Sequence, residues 1–174
     1  MARGPGVFYA GETVVWVADL TENDGRVQLT QPENGVTIQV KNEAETTVLL
    51  AETPMALVVI ETANATGASA LQLDDTTKAW DEDEWADAVV MIASGTGSGQ
   101  ARRIKRNTAT ELVLEDAWGT IPDATSVYKI HRGRYEYAWA SSSTPQTVVG
   151  IVRAKASSYT SAEKVEIELE GAAI

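Results

Sequence analysis

Apolar residues in this chain recur with period two, and no stretch sustains a period of 3.6. In "GVTIQVKN", Val36, Ile38 and Val40 fall on one face, and Thr37, Gln39 and Lys41 on the other. "RYEYAWA" groups Tyr135, Tyr137 and Trp139, and "AEKVEIELE" sets Val165, Ile167 and Leu169 against Lys164, Glu166, Glu168 and Glu170. Such alternation describes strands with one buried and one wet face, the pattern of antiparallel sheets. Turn signals punctuate it: "NDG" at 23–25, "ENG" at 33–35 and "STPQ" at 143–146. A helical turn or two is expected only around "DEDEWADAVV", where acidic residues suit a helix N-terminus. The fold class expected is all-β.

"ETVVWVADL" departs from simple alternation. Val14, Trp16 and Ala18 make one apolar face, and Val15 and Val17 make a second. Val15 and Val17 are thus expected either beneath a loop or second lobe, or against another subunit. The texture also changes along the chain. Residues 1–56 and 133–170 carry longer strand patterns, while 62–130 is denser in Gly, Asp, Thr and Trp, with short runs such as "ALQL", "AVVMIA", "ARRIK", "ELVLE" and "VYKI". That contrast suggests one domain inserted into another.

The stretch "SGTGSGQARRIKR", Ser94 to Arg106, raises the question of phosphate binding. A P-loop needs Lys and Ser or Thr directly after its last glycine, whereas Gly99 is followed by Gln100 and Ala101. A dinucleotide loop has the spacing G-x-G-x-x-G and opens a helix; here the spacing is G-x-G-x-G and a strand follows. A hairpin turn that needs positive φ at several positions accounts for the glycines on steric grounds. The basic residues Arg102, Arg103, Lys105 and Arg106 straddle Ile104, so strand alternation puts Arg102, Ile104 and Arg106 on one face and Arg103 and Lys105 on the other. Acids at Asp81 to Glu84 and at Glu115 and Asp116 are available to pair with them, each exposed pair contributing little. The functional alternative is a docking surface for an acidic partner protein. Val15, Val17, Arg102, Arg103, Lys105 and Arg106 are therefore the candidate interface residues.

Other chemistry has little to build on. The run Asp81, Glu82, Asp83, Glu84 lacks the internal glycine bend of a calcium loop and reads as a solvated turn. His131 is the single histidine, so no His–His metal pair can form, and no GxSxG elbow supports a Ser-His-Asp relay. There is no cysteine, hence no disulfide framework, thiolate metal site or cysteine nucleophile. Trp80, Trp85 and Trp118 read as core residues, with a sugar-stacking platform as the alternative. No catalytic, cofactor-binding or metal-ligating residues are expected. Fourteen Lys and Arg against 25 Asp and Glu give a net charge of −11, which disfavours nucleic-acid binding. The N-terminal stretch lacks an apolar signal-peptide core, and no window of 18 apolar residues spans a membrane.

The middle segment resembles a small β module that recurs in phage virion proteins. The residues carrying the resemblance are "LQLDD" (71–75), Trp80, Trp85, "SGTGSGQARRI" (94–104), "NTATELVL" (107–114), "DAW" (116–118) and "PDATSVYKI" (122–130). The flanks resemble an immunoglobulin-like β-sandwich of tail, fibre and decoration proteins. "GETVVWVADLTENDG" matches the early strand, "GRYEYAWASSSTPQTVVGIVRAKASS" a central hairpin, and "KVEIELE" the closing strand. The resemblance implies an immunoglobulin-like antiparallel sandwich (1–56 and 132–174) interrupted by a barrel-like β module (57–131). It also implies a non-enzymatic virion structural protein, foremost a capsid decoration or head-surface protein. Its partners would be other virion proteins (the major capsid protein or tail proteins) and further copies of itself, in a symmetric array. It would be made in the host cytoplasm and end in the virion. The alternatives are a neck, tail, baseplate or fibre component, or a carbohydrate-binding adhesion module.

Overall fold

The computed structural model describes residues 8–21, 25–27, 35–141, 143–156 and 159–170. Among them the chain is all-β, with no helix. The "NDG" and "ENG" turns fall partly outside the described residues, as do the side chains of Val165, Ile167 and Leu169. The chain divides into two compact units. One comprises Met1–Leu20, Gln31–Leu57 and Arg134–Ile174; the other comprises Thr21–Thr30 and Val58–Gly133. Boundaries drawn at 57 and 131 alone do not anticipate the excursion at Thr21–Thr30. Arg26 there pairs with Glu115, and the Val27 carbonyl accepts a hydrogen bond from Arg103 Nη2 at 2.7 Å.

The first unit holds β1 (Phe8–Tyr9), β2 (Thr13–Asp19), β3 (Val36–Asn42), β4 (Val48–Pro54), β12 (Gln146–Ala156) and β13 (Tyr159–Glu170). One sheet has the order β1-β13-β12-β3-β4, antiparallel except where β1 runs parallel to the end of β13. The second half of β11 (Val127–Ala140) pairs antiparallel with β2, from Arg134↔Asp19 to Ala140↔Thr13. Side chains of both layers meet in one core that includes Val14, Trp16, Val36, Ile38, Val40, Tyr135, Trp139 and Val148. Val36, Ile38, Val40, Tyr135 and Trp139 are residues that alternation assigns to buried faces, and hydrophobic burial is the force that selects them.

The expected central hairpin at 133–158 is corrected. β11 and β12 lie in different sheets: β11 pairs with β2, and β12 with β13 and β3. β12 begins directly after Pro145, which offers no N–H to extend a ladder. The hairpin is instead β12–β13.

The second unit holds β6 (Gly67–Ser69), β7 (Gln72–Asp74), β8 (Val89–Ser94), β9 (Ala101–Asn107) and β10 (Glu111–Leu114), with the first half of β11. Strand order is β11-β8-β9-β10-β7-β6; β5 (Ala56–Asn64) also pairs with β11. Its separate core includes Leu73, Trp80, Trp85, Val90, Ile92, Ile104, Leu112, Trp118 and Tyr128. The "DEDEWADA" segment is a chain of turns, not a helix. Asp83 and Asp87 adopt positive φ, which ends any right-handed helical run. Backbone donors there are taken by β9: Asp83 N–H donates to the Asn107 carbonyl and Asp87 N–H to the Ile104 carbonyl.

Candidate functional site

The glycine loop joins β8 to β9 as a hairpin, and its conformation explains its composition. Gly95, Gly97 and Gly99 all have φ near +80° to +90°. A Cβ on Gly95 would fall 2.2 Å from the Thr125 carbonyl oxygen, and one on Gly97 would fall 2.7 Å from Gln100 Nε2. A Cβ at either position would collide with these neighbours, and the positive φ already disfavours any side chain there, so glycine is required.

Gln100 is the clasp of this region. Its Nε2 donates to the carbonyls of Gly97 (3.0 Å) and Thr120 (2.8 Å), and its Oε1 accepts from the N–H groups of Gly119 (2.7 Å) and Thr120 (3.1 Å). One amide thus satisfies four backbone groups of two loops. On the other flank, Thr96 Oγ1 donates to Asp123 Oδ2, and Ser126 Oγ donates to the Thr96 carbonyl. Hydrogen bonds from Thr125 and Thr96 hold the Asp123 carboxyl below the usual carboxylate range. Several of the loop's polar groups are turned on one another: Ser98 N–H donates to the Gly95 carbonyl and Gln100 N–H to the Gly97 carbonyl. Sequence reasoning treated Gln100 and Asp123 only as motif letters; a glutamine directly after a glycine turn was the available signal.

The basic run does not keep strict alternation along its length. Leu112 pairs with Asn107 and Val113 with Arg106, but Leu114 pairs with Ile104, leaving Lys105 as an extra residue in a β-bulge. The bulge brings Lys105 and Arg106 out to solvent together and returns Asn107 to the interior. Neither Lys105 nor Arg106 forms an ion pair among the described residues. Arg103 is only 5% exposed, with Nη1 lying 3.7 Å from Glu115. It is thereby withdrawn from the candidate interface. Arg102 lies over the Trp118 ring at 5.4 Å, and its Nε donates to the Ala117 carbonyl. Of the acids expected to pair, Glu115 does so; no basic-run residue pairs with Asp81 to Glu84 among the described residues.

Trp80, Trp85 and Trp118 are all buried, so none is a platform for a sugar. Asn107, also buried, holds the acidic turn: its Oδ1 accepts from Trp85 N–H and its Nδ2 donates to the Asp81 carbonyl. Among the described residues no cluster of three His, Cys, Asp or Glu could hold a metal ion.

Asp75 and His131 are buried ionisable groups. Asp75 is enclosed, its Oδ2 accepting from Tyr128 Oη (2.7 Å) and its Oδ1 from Thr77 N–H and Oγ1. Burial pushes its pKa up, but these hydrogen bonds and the Lys78 charge outweigh it, and the carboxyl titrates below its ordinary value. Burial, the Asp75 acceptor and the Asp75 charge raise the Tyr128 hydroxyl. His131 is fully buried, and desolvation pushes its pKa down to about 4. Gly133 N–H donates to its Nδ1, which fixes the neutral ring with its proton on Nε2.

On β2, Val14, Trp16 and Ala18 are buried, while Val15 is 42% exposed and Val17 half-buried on the opposite face. Ala138 and Ala140 on β11, paired with Val15 and Thr13, are also exposed. The chain matches no protein-family model, no curated protein and no solved structure.

Proposed function

We propose that the chain is a non-enzymatic structural protein of a tailed-phage virion, foremost a capsid decoration or head-surface protein. The reading rests first on the sequence resemblance. The observation that carries it further is what the motif residues do. Gly95, Gly97, Gln100, Asn107, Trp118, Asp123 and Ser126 are all engaged in holding their own unit together. Their pattern is thus a recipe for a rigid β unit, not for a reacting centre, and interaction is left to outer surfaces. Repeated on a symmetric particle, contacts of modest strength sum to firm attachment.

Mass spectrometry of washed particles of the encoding phage tests the proposal. A copy number on the order of tens or more, as an icosahedral surface demands, supports a head location. About six or twelve copies would move the protein to the neck or tail. Absence from the particles would overturn the reading.

A further inference from the structure

We draw no further inference here: the strongest candidate, the exposed Lys105–Arg106 pair at the β9 bulge beside the acidic turn Asp81–Glu84, carries none, because nothing in the structure shows what covers it.

Discussion

Trp16 on β2 and Gly150 on β12 are in direct opposition: a Cβ placed on Gly150 would fall 2.2 Å from Cζ3 of the indole. Gly150 is therefore a contact residue, the floor on which one of the two core tryptophans of the first unit rests. Trp16 also lies 6.5 Å from Trp139, centroid to centroid, so it has a second ring at its side and little freedom to retreat.

Gly150→Ala is expected to destabilise the first unit by about 2 kcal/mol, the cost of overpacking a filled core. Trp16→Leu in the same chain should relieve part of that cost. The two changes should couple by at least about 1 kcal/mol in a double-mutant cycle read from denaturant midpoints. Strict additivity would mean that the contact carries no strain.

The loop glycines should differ in their response to alanine. Gly99→Ala meets open space and costs about 1 kcal/mol, from positive φ alone. Gly95→Ala also drives a methyl into the Thr125 carbonyl and should cost at least about twice as much, with Gly97→Ala between them. Thermal melts establish the order; equal losses would mean that backbone conformation alone, without the close approaches, sets the cost.

Gln100→Glu should damage the clasp although the shape is kept. A carboxylate cannot donate to the Gly97 and Thr120 carbonyls, and it brings negative charge against both. A loss of about 2 kcal/mol is expected, with faster hydrogen exchange at Gly119 and Thr120. Unchanged exchange at those amides would exclude the clasp as the element that orders the two loops.

His131 makes stability depend on pH in a defined window. Its folded pKa of about 4 lies below the unfolded value of 6.5, so between these the unfolded chain binds the extra proton. Stability then falls as pH drops from 6.5 towards 4, by up to about 3 kcal/mol from this residue, and the contribution levels off below 4. Denaturation profiles of the native chain and of His131→Gln should diverge across this window, the variant having the flatter slope. Parallel profiles would show that the ring titrates normally in the folded state.

Tyr128→Phe removes one donor from a buried carboxylate. Asp75 then keeps only its Thr77 hydrogen bonds, and a cost of about 2 kcal/mol is expected from its unsatisfied Oδ2. The Tyr128→Phe/Asp75→Leu pair should recover part of the loss, and failure to recover it would place the role of Asp75 with Thr77.

Much of the local structure was legible because its causes are local. Period-two alternation identified the buried faces of β3 and of the second half of β11, since a residue's side of a strand depends only on its position along it. The glycine spacing identified the turn after Ser94, since positive φ is a property of single residues. What the tertiary structure decided depends on partners distant in sequence. Alternation states that β11 and β12 each have a dry face but not whether they lie side by side or in opposite layers; packing put them in opposite layers. The bulge at Lys105 arises from a mismatch with β10, and where it falls Lys105 and Arg106 are both exposed and Asn107 is buried. "DEDEWADA" has a helical composition, yet hydrogen bonds from Asn107 and Ile104 of β9 outcompete a helix too short to stabilise itself. Gly150 gives no sign in its own strand that a tryptophan more than a hundred residues away requires it. Sequence fixes which conformations each segment can adopt at low cost; non-local contacts choose among them, because only they show which groups remain to be buried or paired.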